Sequence, residues 1–301
     1  VNEKIAPFLI LMAALLWGTT GTAQAFAPVS AHPVAIGAVR LAVGGIFLLL
    51  LVLVTGKLSL KNWPLKATIV AALSMAMYQP LFFSAVTKTG VAIGTVVAIG
   101  SAPILSGLME WIFLKRRPNR VWWMSTFLSI FGCMLLFLNK ESVMVDPVGL
   151  VMALGAGLSF AIYAIVSRNL VGNYSSLAVV AVVFTLSAVF LLPLLFMFDL
   201  SWIASSRGIS VSLHLGIMAT GIAYLLFAKG MRHVSSSTAV TLALGEPLTA
   251  AMLGVFLLGE RLSGTSWLGM LLVLLGIGLL IGATKARVES KKGGGIPNEK
   301  G

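Results

Sequence analysis

Two stretches, 101-SAPILSGLMEWIFLKRRP-118 and 245-GEPLTAAMLGVFLLGERL-262, fall on one another when the chain is slid against itself by 144 residues. The match runs without a gap from Phe83 to Leu138 against Phe227 to Gly282. It sets Pro103 on Pro247, Arg117 on Arg261, Trp123 on Trp267 and Gly132 on Gly276. Both stretches are apolar and each ends in a short polar turn, so the repeated unit is made of membrane spans. With five spans per copy, an odd number, the second copy must lie upside down relative to the first. Charge supports this independently. At one repeat position the first copy reads "KRRPNR" and the second "GERLSG", a basic loop against a nearly neutral one, as expected when the two face opposite sides of a membrane.

Composition agrees. Of 301 residues, 58% are hydrophobic and 10% charged, with mean hydropathy +1.02; a water-soluble domain carries about a quarter charged residues. Apolar runs at 5–25, 33–54, 66–87, 90–114, 120–138, 147–170, 177–198, 210–230, 234–258 and 264–284 are each long enough to cross a hydrocarbon core. The fold class is therefore an all-α integral membrane protein, with ten transmembrane helices arranged as a 5+5 inverted-topology repeat. The first unit covers 5–138, the second 147–284, and a polar, Gly-rich tail at 285–301 is expected to be disordered and cytoplasmic. The first run continues through Ala25 with no small-residue cleavage site and reads as a retained span.

Net charge is +12, but the basic residues sit in gaps between spans and form no aromatic-interleaved face, which excludes nucleic acid as a partner. One set of alternate loops holds 16 Lys and Arg and the other 4, so both termini are expected on the cytoplasmic side. Trp63, Trp122, Trp123, Trp202 and Trp267 lie near span ends, where interfacial anchors belong. Spacings such as "GVAIG" at 90–94 and "GLLIG" at 278–282 permit close helix approach, within the bundle or to a second copy, and leave the oligomeric state open.

Several motifs resemble the EamA-type family of the drug/metabolite transporter superfamily: "ALLWGTTG" in the first span, "HPVAIGAVRLAVGG" leading into the second, "SAPILSGLMEWIFLKRRP" in the fourth and "GEPLTAAMLGVFLLGERLSGTSWLGMLLVLLGIGLLI" at the end. The resemblance covers residues 5 to 284 and implies a ten-helix carrier of small metabolites, often outward, in a bacterial inner membrane. Two departures stand out. The first copy ends "LKRRP" where the family commonly has a "LGERL"-like ending, and Phe160 stands where the family often has Trp.

Glu246 lies twelve residues from each end of its span, about 18 Å at 1.5 Å per residue. A carboxylate at that depth must be protonated, paired or facing a wet cavity, so it reads as a proton carrier or gate, or else as a carboxyl hydrogen-bonded between helices. Pro103 and Pro247 each lack an N–H, which frees the carbonyls of Ile99 and Ala243. Paired breaks in corresponding spans point to a transport site. Arg40, always cationic, needs a carboxylate, carbonyls, water or an anionic substrate group. Trp17, Tyr78, Tyr163 and Tyr224 fall inside spans and suit an amphipathic or cationic substrate. Thr20, Gln24, Ser101 and Gln79, the last beside the helix-breaking Pro80, complete the candidate substrate-binding set. Glu110, beside "KRRP", is expected to form a local ion pair.

The expected function is a secondary transporter that exports or exchanges an amino acid or similar amphipathic metabolite by alternating access. No phosphate loop, metal-ligand cluster or other cofactor motif is present: "GTTGTAQ" at 18–24 lacks the lysine of a phosphate loop. Active transport would draw on a gradient, with protons through Glu246 as the candidate coupling and facilitated diffusion as the other course. Alternatives are a flippase for lipids or lipid-linked sugars, which a lateral opening would favour, and an intramembrane transferase. The latter lacks support because His32, His214 and His233 fall at helix ends or in loops, with no HExxH or GxSxG pattern.

Overall fold

The computed structural model describes residues 3–59, 61–137, 146–259 and 261–293. Among the described residues the bundle is made of ten helices, nine of them long and apolar enough to cross a membrane and one, α5, shorter: α1 (Ala6–Ala25), α2 (Pro33–Val54), α3 (Leu65–Gly90), α4 (Ile93–Leu114), α5 (Arg120–Phe137), α6 (Pro147–Asn173), α7 (Ser176–Leu195), α8 (Ser206–Met231), α9 (Ser236–Leu257) and α10 (Gly264–Ala286). The last helix continues to Gly293, into the stretch expected to be disordered, and 294–301 lie outside the described residues.

Local chemistry sets the boundaries. Pro7, Pro33 and Pro147 occupy first-turn positions, where a missing N–H costs nothing. Side chains of His32, Asp146, Ser205 and Ser235 accept from first-turn amides of α2, α6, α8 and α9. Between α3 and α4 the chain turns at Gly90, whose φ of 80° and ψ of 160° are open essentially to glycine alone. α4 and α9 stop in the same way, on a left-handed residue: Lys115 at φ 56° and its repeat mate Gly259 at φ 69°. The first copy's "LKRRP" therefore keeps the ending of the second copy's "LGERL" with a costlier residue.

The interhelix contacts respect the repeat. α1 packs on α8 and α9, as α6 packs on α3 and α4; α2 packs on α7, and α5 on α10. The α5–α10 seam shows it at atomic detail. A Cβ at Gly132 would lie 2.6 Å from the carbonyl oxygen of Gly269, and one at its repeat mate Gly276 would lie 2.7 Å from that of Ser125, the repeat mate of Gly269. The glycines at 278 and 282 face open space, so the close approach runs through other residues than the "GLLIG" spacing suggests. Leu15, Ile46, Phe127, Phe131, Val151, Leu271 and Leu274 point outward, as a lipid-facing surface requires. Trp267 is half exposed, but Trp122 and Trp202 are buried against neighbouring side chains instead of facing outward as anchors. A Cβ at Gly107 would overlap the Trp122 ring, so α4 was shaped to receive it.

At the end of the molecule away from the termini, Asp146 Oδ1 accepts from the amides of Val148 at 2.8 Å and Gly149 at 3.4 Å, and Lys88 Nζ lies 3.3 Å from Oδ2. The Val148 amide foremost, then Lys88, hold its carboxyl below the ordinary aspartate range. A depressed folded pKa contributes stability above the unfolded value of about 3.9 that fades as pH falls through the folded value. Asp146→Ala is therefore expected to lower Tm modestly at neutral pH, with the gap to the parent closing as the medium is acidified below the aspartate range in a thermal scan.

Candidate functional site

α9 is where the second unit departs from the first. Between Leu242 and Gly245 the helix is interrupted: the Leu244 amide donates to Thr241 O at 3.1 Å and the Glu246 amide to Ala243 O at 2.9 Å. The carbonyl that Pro247 cannot serve is thus satisfied by a tighter turn. Pro103 and Pro80, by contrast, lie within continuous helix. The paired break expected from sequence is a break in one copy only. Where α9 has Gly245 and Glu246 ahead of the proline, α4 has Ser101 and Ala102, and two poor helix positions two residues apart open what one proline alone leaves closed.

The two proline segments nevertheless face each other. A cavity between the two units is lined by Trp17 and Thr20 of α1, Arg40 of α2, Tyr78 of α3, Ala98, Ile99 and Ala102 of α4, Phe160 of α6, Tyr224 of α8, and Val240, Ala243 and Glu246 of α9. Both units contribute. Six of the ten candidate substrate-binding residues reach it: Trp17, Thr20, Arg40, Tyr78, Tyr224 and Glu246.

The other four do not line it. Gln24 sits near the end of α1. Gln79 is buried, its Oε1 lying 3.2 Å from where a Cβ of Gly37 would be. Ser101 Oγ donates to Ala98 O at 3.3 Å and presses on Gly157 of α6, where a Cβ would overlap it. Tyr163 stands behind the wall, with its ring 5.7 Å from Tyr224 and 5.9 Å from Phe184.

Aromatic rings form one wall. Trp17 lies 4.8 Å from Tyr224, 5.1 Å from Phe227 and 5.9 Å from Phe160, centre to centre, and Phe160 lies 5.8 Å from Tyr78. Of the six lining residues outside the candidate set, Phe160 is the aromatic one. It holds the place on α6 that Trp17 holds on α1, and that repeat relation is the signal that would have found it. Trp17 Nε1 and Thr20 Oγ1 are buried at the cavity and find no hydrogen-bond partner among the described residues. Such atoms call for water or a ligand.

Arg40, 7% exposed, is held by the second unit: Nε donates to Thr220 Oγ1 at 3.1 Å and Nη2 to Ala219 O at 3.2 Å. These acceptors belong to a stretch of α8, His214–Ile222, wound as a π-helix, and Thr220 Oγ1 in turn donates to Leu215 O at 2.8 Å. A guanidinium has five donors, so two bonds leave others for the cavity that Arg40 lines. His214, expected at a helix end, lies within α8 at the start of this stretch, 2.8 Å from Thr19 Oγ1. Glu246 makes no ion pair with Arg40 within 4 Å and remains partly exposed, at the cavity.

Glu110 differs from its expected local ion pair. It is 2% exposed and reaches across to α9: Ser236 donates to Oε1 from its amide at 2.8 Å and from Oγ at 2.5 Å, and Ser237 Oγ donates to Oε2 at 2.5 Å. A carboxylate at a helix N-terminus is favourably placed, which explains why it chooses α9 over the basic turn. Close by, Arg168 Nε donates to Val234 O at 2.6 Å. Among the described residues no group of His, Cys, Asp and Glu is arranged to hold a metal ion.

Comparison with known proteins agrees with the architecture. A relative from Bacillus subtilis, the uncharacterized transporter YwfM, is 51% identical over 290 residues, covering 96% of this chain and 98% of its own. The threonine/homoserine exporter RhtA of Escherichia coli is 28% identical over 303 residues, covering 95% of this chain and 94% of its own. One solved crystal structure, 20% identical, superposes with a TM-score of 0.83 over 95% of this chain and 99% of its own, a likeness of fold. The model of the EamA-like transporter family matches twice, at residues 4–138 and 147–282, one match per five-helix unit. This chain belongs to the EamA-like transporter family.

Proposed function

We propose that the protein is a proton-coupled exporter of a small zwitterionic metabolite of the amino acid class, working by alternating access from a bacterial inner membrane with both termini in the cytoplasm. The observation that carries this reading is the joint presence of Glu246 and Arg40, unpaired with each other, on one aromatic-walled cavity between the two units. A free amino acid offers matching groups. Its carboxylate suits the remaining donors of Arg40, which is planar and always charged. Its ammonium suits the Glu246 carboxylate and the faces of Trp17 and Tyr224.

The same carboxylate cannot hold a proton and an ammonium together. Competition for Glu246 would exchange inward protons for outward substrate, which is the simplest coupling this cavity allows. The name of the RhtA relative agrees with that substrate class, and the two-unit architecture agrees with rocking about a central site. On this reading the protein moves its substrate unchanged and performs no chemistry on it.

The test is counterflow. Proteoliposomes preloaded with unlabelled threonine, homoserine or another short neutral amino acid are expected to take up the labelled compound, while analogues missing one charged end, the decarboxylated amine and the N-acetyl derivative, fail to compete. Equal competition by both analogues would show that the cavity does not read a zwitterion.

A further inference from the structure

A second cavity lies at the end of the bundle that carries both termini, far from Glu246. It is lined by Lys57 at the end of α2, Ser175, Ser176 and Leu177 at the start of α7, and Leu225, Lys229, Arg232 and His233 at the end of α8. Lys57, Lys229 and Arg232 are exposed around its rim, and among the described residues none of the three forms an ion pair with a carboxylate. Burial foremost holds His233 below the usual imidazole range.

The floor is the N-terminus of α7, a helix of 20 residues. Its first intrahelical bond runs from the Val179 amide to Ser175 O at 2.9 Å, so the amides of Ser176, Leu177 and Ala178 precede the ladder. Ser175 stands at the cap position but makes no side-chain cap bond, whereas side chains cap α2, α6, α8 and α9. Ser176 supplies the independent observation. It is only 6% exposed, and its Oγ finds no hydrogen-bond partner among the described residues. Uncapped amides, an unanswered buried hydroxyl and three unpaired cations all ask for one kind of group, a compact anion with several acceptor oxygens.

We propose that this basin is a phosphate-binding site, filled by the headgroup of an anionic phospholipid or by a free phosphate. Its occupant bridges α2 of the first unit to α7 and α8 of the second, across the junction along which the units must move. Leu50, Leu53 and Val54, exposed on α2 beside Lys57, offer an apolar lane for acyl chains next to the basin.

The test uses the purified, delipidated full-length chain. Native mass spectrometry with added phosphatidylglycerol or phosphatidylcholine reads the lipid source; calorimetry with inorganic phosphate against chloride at matched ionic strength reads the free anion. Saturable preference for phosphatidylglycerol assigns the site to a lipid headgroup, and saturable phosphate binding without that preference assigns it to the free anion. Each of Lys57→Gln, Lys229→Gln and Arg232→Gln is expected to weaken binding roughly fivefold, Ser176→Ala to weaken it as well, and Arg232→Lys to keep most of it. Monodispersity on size exclusion checks that each variant folds. Absence of both preferences in the wild-type chain, or binding unchanged in folded Gln variants, would overturn the proposal.

Discussion

Glu246→Gln is expected to reduce pH-gradient-driven accumulation to the level of protein-free vesicles while leaving counterflow between equal substrate pools in place, with a raised KM. Glutamine keeps the shape of a protonated carboxyl but can neither release a proton nor attract an ammonium by charge. The driven mode needs a net proton carried on every cycle, whereas exchange needs only that the loaded cavity face each side in turn. The raised KM follows from losing a charge-assisted bond to the substrate. Flux assays on reconstituted wild type and variant, with and without an imposed pH gradient, separate the two modes. A variant that still concentrates substrate against the gradient would sink coupling through this carboxyl, and one that loses counterflow as well would make Glu246 a binding group before anything else.

The second large effect tests the architecture. Gly132→Leu and Gly276→Leu are each expected to destabilise the protein by about 3 kcal/mol or more, because the added Cβ meets a backbone carbonyl of the facing helix at 2.6 and 2.7 Å. Backbone cannot swing aside as the end of a side chain can. The repeat relation makes the prediction stricter: the two residues hold equivalent places in one self-complementary seam, so the losses should be similar. Gly278→Leu, at a glycine with open space around it, serves as the control and should shift Tm little. Thermal unfolding in detergent reads all three. A large loss in only one of the seam variants would mean that α5 and α10 do not meet as equals.

The ten spans were legible because membrane insertion depends on sustained apolarity and little else, and the inverted repeat because five is odd and the loop charges reverse. Where the marked residues sit inside the bundle was legible only in part. Glu246 and Arg40 declared themselves by the cost of charge at depth. Proline, though, marks a missing donor and not a broken helix: Pro103 and Pro80 are absorbed by continuous helix, and Pro247 sits beside a break that Gly245 shares in making. Phe160 was noted as a departure from the family's Trp but not placed in the site, because an apolar ring in an apolar span carries no signal of its own beyond that and its repeat mate. Glu110 looked like the partner of adjacent cations, yet its acceptors are met by hydroxyls and an amide more than a hundred residues away, a pairing that only the folded chain creates. Trp122 and Trp202 show the same gap, since nearness to a span end says nothing about whether a ring faces lipid or a neighbour.

The corner at Gly90 gives the two units different mechanics. In the first unit, two rods meet at essentially one residue, so any change of angle between them is concentrated in one pair of torsions, and a tilt of either rod reaches the wall at Ala98 and Ile99 with little slack. In the second unit the corresponding joint is spread over 232–235, with Val234 where the first has its glycine. Under the proposed rocking, one half would bend at a single residue and the other over four, and a machine built from a duplicated part need not flex symmetrically.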